Sequence, residues 1–461
     1  MKNRSFFNQL TSLVLLVVLV TTGCTEKKQA VYNRLMEHAN SIKVVNSHEH
    51  QRNPAELGIN EYNFWSVLSK AYVNADLVSA GGNYLSNEVL NNSSLDKLWE
   101  ENGKSLNYSK NTSYYRHFLK GFQILYDYKE SCFTREGISQ LSETINKNYH
   151  NYGRWFEEAF NKANFETMLL DQFWAPFNLD IVTNFFTLTF PVNNLVYFAS
   201  NAKNLFEEES EPAISEYKNK VNIEGISSLA EYMDFVDYML KQAIEKGAVG
   251  LKNSMAYGRS IYYENVPVER ASELFEKSPE LSWEESKAIQ DFVFHWILTK
   301  AAEYNLPVQI HTGYLAGNGN NLENGKPVKL NNLFIEHPET KFSLFHGGFP
   351  WTGEFTAYGK MFKNVYLDLV WLPQISKERA ITTFDEMLDC VPYNKILWGG
   401  DCQFIEESVG SLEFGKEIVV EVLSKRIREK KLDKTTAKHI IESIFRENAI
   451  ALFNLNYTTV Q

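Results

Sequence analysis

Eight short apolar runs, rich in β-branched and aromatic residues, constrain this chain more than any other feature. They are Ile42–His48, Thr167–Leu170, Leu195–Ala199, Ala248–Met255, Pro307–Thr312, Lys341–Gly347, Val365–Leu372 and Lys395–Asp401. Most are nearly continuous in hydrophobicity, as strands buried on both faces must be. The later ones alternate with helical stretches. In 284–304, for example, Ile289, Phe292, Val293, Trp296 and Ile297 recur at helical spacing. Strands alternating with helices imply a parallel sheet, and eight such units predict an α/β fold of the (β/α)8 barrel type. A doubly wound open sheet is the competitor, weakened because no glycine-rich dinucleotide fingerprint follows any strand.

More than 100 residues separate the first two runs, too many for a structureless loop. Aromatic clusters at helical spacing (Tyr62–Trp65, Leu95–Trp99, Tyr114–Tyr126, Tyr149–Phe160) predict a mainly helical insertion at about 51–150. In a barrel it would sit over the catalytic end. The expected organisation is a leader at 1–23, a polar tether at 24–40 and a barrel over 41–461.

The ends of the strands carry the chemistry. Strand 1 ends in Ser47-His48-Glu49-His50. Residues two apart on a strand share a face, so His48 and His50 present two imidazoles suited to a divalent metal. A lone His-x-His is only suggestive. Here, however, strand 4 ends in Lys252, strand 5 in His311, strand 6 in His346 and strand 8 in Asp401. Any one of these is most simply a satisfied core residue, but together they are hard to explain separately. No Gly-x-Ser-x-Gly, His-Glu-x-x-His or P-loop motif occurs.

The order His-x-His, His, His, Asp resembles the amidohydrolase superfamily. The turns Phe345-His346-Gly347-Gly348 and Trp398-Gly399-Gly400-Asp401 are similar to its amidohydrolase-related branch, as is Glu447-Asn448-Ala449 through Leu452-Phe453. The resemblance covers about 43–455, apart from the insertion. It implies a metal-dependent hydrolase of amide, ester or lactone bonds, with one or two divalent ions, zinc the first candidate. His48, His50, His311 and Asp401 would be ligands. His346 would bind a second ion or polarise the substrate. Asp401 would also move the proton of the attacking water. Lys252 would bridge two ions if carboxylated; otherwise it is a cationic contact for an anionic substrate, or a lysine snorkelling at a strand end. Tyr257, Arg259 and Trp351, in the loops after strands 4 and 6, are candidate contacts for a small, anionic substrate. Asp368, within strand 7, is as readily structural as catalytic. Competing expectations are a sugar-acid isomerase of the uronate isomerase kind, a metal-dependent decarboxylase, and a non-catalytic binding lipoprotein.

The N-terminus adds a location. Lys2 and Arg4 precede an apolar run, Leu13 to Val20, followed by Thr21-Thr22-Gly23-Cys24. The run is too short to span a bilayer. The Gly-Cys pair resembles a bacterial lipobox, implying cleavage before Cys24, lipidation of its thiol and anchoring to a membrane of the cell envelope. With 46 Lys and Arg against 57 Asp and Glu, the net charge of −11 disfavours nucleic acid as a partner. Four cysteines in 461 residues do not make a disulfide scaffold.

Overall fold

A computed structural model describes residues 29–208 and 211–456. The leader and Cys24 lie outside the described residues. A helix ending at residue 41 leads into β1 (Val44–Glu49). The remaining strands are β2 (Phe165–Asp171), β3 (Phe186–Pro191), β4 (Gly250–Asn253), β5 (Val308–Ile310), β6 (Phe342–Leu344), β7 (Val365–Asp368) and β8 (Ile396–Leu397). They pair in sequence order, every pair parallel. Backbone bonds complete the ring between β1 and the end of β8. Ser47 N–H donates to Trp398 O (3.3 Å), Asp401 N–H to His48 O (2.9 Å) and His50 N–H to Cys402 O (3.0 Å). The molecule is a (β/α)8 barrel.

One expected strand is corrected. Leu195–Ala199 is not β3; Asn193–Phe198 is a helix, with Leu195, Val196 and Ala199 buried. The strand is the preceding Phe186-Thr187-Leu188-Thr189-Phe190-Pro191. A five-residue apolar run has no period long enough to separate helix from strand, whereas the alternating, β-branched run does.

The two ends of the barrel differ. At the N-terminal end, Val45, Leu169 and Leu397 meet Ala449, Ile450, Leu452 and Phe453 of the last helix, Asn448–Phe453. That helix plugs the barrel; Asn448 Nδ2 donates to Ile396 O (2.7 Å) and Arg446 pairs with Glu166 at the foot of β2 (2.6 Å). At the C-terminal end sits the segment between β1 and β2, whose regular elements from Pro54 to Lys162 are all helices. It has its own aromatic core, including Phe64, Trp65, Phe118, Phe122 and Phe133, which joins the barrel through Trp371 and Phe404. Its helix Ser113–Leu125 packs against Ile405–Arg428, the long helix after β8. Two glycines set this approach. A Cβ on Gly121 would lie 2.0 Å from Glu406 O, and one on Gly410 2.0 Å from His117 O. Among the described residues, no helix is long and apolar enough to cross a membrane.

Candidate metal centre

Parallel strands in one barrel all point their C-terminal ends the same way, so residues far apart in sequence meet at one rim. His48 Nε2, His50 Nε2 and Asp401 Oδ1 form a triangle with all three edges 3.2 Å. Donors bonded at about 2.0–2.2 Å and about 90–110° apart lie about 2.8–3.6 Å from each other. The spacing therefore fits one divalent ion.

Hydrogen-bond partners show which nitrogens carry protons. His50 Nδ1 faces the Asp171 carbonyl (2.9 Å), which only accepts, so Nδ1 bears the proton and Nε2 a lone pair. Lys252 Nζ lies 2.8 Å from His48 Nε2, which therefore accepts. With Asp401 ionised, three lone-pair atoms converge, an arrangement that needs a cation or a proton at its centre. Asp401 is held well below the usual carboxylate range: burial opposes its charge, but the imidazoles of His48 and His50 beside it outweigh that. Burial and Lys252 push His48 down, whereas His50 is pulled up because Asp401 and Asp171 outweigh its burial.

His311 does not join that triangle. It pairs with His346, whose Nε2 lies 3.0 Å from His311 Nδ1. The outer nitrogens donate to the carbonyls of Tyr314 (2.7 Å) and Val370 (3.2 Å). Two more lone pairs thus face each other, a second place for a cation. Burial, then Lys252, lowers His311 to about 3; burial and His311 lower His346 well below its usual value. Both rings are neutral, the form a metal needs. Lys252 is 2% exposed, 3.8 Å from Asp171 Oδ2, and burial lowers its pKa.

Three residues at this rim take left-handed backbone: His346 (φ 64°), Trp371 (φ 63°) and Asp401 (φ 63°). Each such residue costs about 1–2 kcal/mol in a non-glycine position. The conformations turn the chain sharply off β6, β7 and β8 and aim the side chains inward.

Arg259 is a correction. Its guanidinium is buried, donates to Gln290 Oε1 (2.9 Å) and pairs with Asp291, both on the helix Trp283–Glu303. A fork spent on that helix does not serve a substrate carboxylate. The indole against His346 is Trp371 (4.9 Å between ring centres), while Trp351 lies under Lys326 (5.7 Å). Tyr257 is 45% exposed, with its ring 5.0 Å from His311 and its hydroxyl accepting from Ala316 N–H (3.0 Å). Asp368 is buried, raised to about 7 by burial, and accepts from Ser47 Oγ (2.5 Å).

Two residues at the rim are not among those that the sequence singled out. Asp171 ends β2, next to Lys252 and His50, with both carboxylate oxygens buried and without a hydrogen bond. Its place as a strand end could have flagged it. Tyr72, from the insertion, donates to Asp401 Oδ2 (2.6 Å). Its backbone N–H donates to Glu407 (2.8 Å), which also faces His117 Nε2 (3.1 Å). Nothing local in the sequence marks it.

Residues 233–455 match the family model described as amidohydrolase. The chain is 33% identical to protein fluG of Emericella nidulans over 130 residues, 27% of this chain; it spans about 15% of that protein's length. Solved structures share the fold across nearly the whole chain. A glucuronate isomerase from Caulobacter crescentus has TM-score 0.72 and 12% identity, covering 94% of this chain and 95% of its own. A uronate isomerase from Thermotoga maritima has 0.69 and 14%, covering 92% and 97%. A structure from Lactobacillus casei described as a metal-dependent hydrolase has 0.62 and 17%, covering 91% and 97%. Residues 233–455 are thus similar to the amidohydrolase family, and the barrel that contains them is shared with these solved structures.

Proposed function

We propose that the protein is a metal-dependent hydrolase that attacks an amide, ester or lactone bond of a small substrate with water. The observation that carries this reading is the grouping of lone pairs into two sets with Lys252 beside them. His48, His50 and Asp401 would hold one ion, and His311 with His346 a second. Lys252, carboxylated, would supply the shared oxygen ligand. Its burial favours the neutral amine, which is the form that reacts with carbon dioxide. When bound, such ions lower the pKa of water toward about 7 and polarise the substrate carbonyl.

The chain's own residues do the rest. Asp401 takes the proton of the attacking water and returns it to the leaving group. Tyr72 fixes the carboxylate rotamer. The insertion and the loop after β5 form a roof over the rim; Asn318 Nδ2 reaches Ala75 O (3.2 Å). Water exclusion under that roof strengthens every charge interaction inside.

Sugar-acid isomerisation is the second reading, favoured by a barrel and overall chain shared with structures named as uronate isomerases. The test is a screen of metal-loaded protein in ¹⁸O-water against N-acyl amino acids, esters, lactones, glucuronate and galacturonate. Hydrolysis places ¹⁸O in the product carboxylate. Turnover of the uronates alone, with aldose converted to ketose, would replace the hydrolase reading by the isomerase one. Addition of ¹³C-bicarbonate should give a carbamate signal that Lys252→Ala protein lacks.

A further inference from the structure

We propose that a cavity beside the metal centre binds an amphipathic carboxylate, with Arg52 taking the charge and an apolar wall taking the body. The cavity measures about 640 Å³ and is bounded by Arg52, Trp174, Phe156, Ile181, Val182 and Phe185. That volume lies within the range of about 300–1,000 Å³ usual for small-molecule sites. None of the metal-centre side chains lines it. Gln51 and Gln172 do, and they directly follow His50 and Asp171.

Arg52 is the unusual member. Its guanidinium carbon sits 4.1 Å over the Trp174 ring. Its Nε is buried without a hydrogen-bond partner, and no carboxylate among the described residues lies within ion-pair distance. Of the acids lining the cavity, Asp180 pairs with Lys246 (2.8 Å), while Glu56 accepts from Asn53 Nδ2 (3.2 Å) and attracts Arg52 only from beyond ion-pair distance. A planar cation stacked on indole is pre-organised, and its fork matches a carboxylate. A bare small anion would leave the apolar wall in water. A ligand with a carboxylate at one end and a chain or ring behind it satisfies both surfaces.

The cavity adjoins the metal centre along the chain, since Gln51 and Gln172 line it and directly follow His50 and Asp171. Arg52 is two residues beyond His50, so their Cα atoms lie within about 7 Å. Calling the ligand a substrate rests on the hydrolase reading; the binding itself does not. The charge selectivity that the sequence suggests for Arg259 would then be exerted by Arg52.

The test is titration calorimetry with octanoate and with octan-1-ol, on wild-type protein and on chelator-stripped Asp401→Asn protein. Octanoate should bind both proteins, about tenfold or more tighter than the alcohol. Arg52→Gln should weaken octanoate about tenfold and leave the alcohol within about twofold; Arg52→Lys should restore part of the loss. Val182, 57% exposed, offers a second variant that spares the fold: Val182→Glu should weaken octanoate by repulsion. The proposal is overturned if octanoate binding disappears with the metal, is indifferent to both Arg52→Gln and Val182→Glu, or is not detected at millimolar concentration. Because no turnover is measured, loss of the hydrolase reading would leave a positive result standing.

Discussion

The hydroxyl of Tyr72 donates to Asp401 Oδ2 at 2.6 Å and also touches the backbone oxygen of Asp401. A residue of the insertion thereby fixes a strand-8 carboxylate whose own backbone is left-handed. Partners that orient a ligand or proton carrier are worth about 10–100-fold in activity or metal affinity. Tyr72→Phe should lower kcat/KM, or metal affinity, by that factor. Its thermal stability should change little, since a single net hydrogen bond contributes about 1 kcal/mol. Kinetics, metal titration and calorimetry on one preparation decide it; unchanged activity and metal affinity would remove Tyr72 from the positioning role.

Arg259 should behave as a structural residue. It is 2% exposed and paired with Asp291, which Lys287 also contacts. Breaking a buried pair by removing one partner costs about 3–5 kcal/mol, less here because Lys287 remains. Arg259→Ala should therefore unfold at clearly lower denaturant. Its residual activity should fall equally for anionic and neutral substrates. A selective loss on anionic substrates, at unchanged stability, would return Arg259 to the site.

A pH effect is expected away from the metal centre. His337 Nε2 lies 2.8 Å from His295 Nδ1, and burial together with that neighbour lowers His337 to about 4. Its unfolded value is about 6.5. The unfolded chain therefore binds more protons between these values, and the contribution to stability is complete above about pH 6.5 and is lost as pH falls toward 4. Melting temperatures of wild type and His337→Gln, both metal-loaded, should diverge in slope across that interval and run parallel above pH 7. Identical slopes would show that His337 is not depressed.

Location is a proposal from the leader alone. Cleavage before Cys24 and lipidation of its thiol should place the protein in the membrane fraction of a bacterial host. One acyl chain binds only marginally, so more than one is expected on the mature N-terminus. Intact-mass measurement should find the added lipid, and Cys24→Ser should shift the protein to the soluble fraction. Full membrane retention of that variant would end the lipoprotein reading.

The strand ends were legible because they follow from short-range rules. An apolar run followed by His48, His311, His346 or Asp401 is visible in one dimension, and parallel strand order brings such ends to one rim without further information. The third strand was not legible from Leu195–Ala199, because five apolar residues satisfy a helix turn as well as a strand. The partition of the histidines is tertiary. Sequence offered His311 as a ligand beside His48 and His50, but barrel geometry pairs it with His346.

The sequence by itself determined the barrel, the helical segment after strand 1 and the chemical character of the rim, because these depend on hydrophobic period and on the residue that ends each run. Only the tertiary structure decided what each polar group is bonded to. Arg259 turned to Asp291 and Gln290 because a helix 30 residues later offers partners in a buried place. Arg52 was left over Trp174 because none is offered there. Tyr72 reaches Asp401, 329 residues away. Hydrogen bonds and ion pairs act over a few ångströms and are indifferent to separation along the chain, so which residues they join is settled only once packing has fixed the distances.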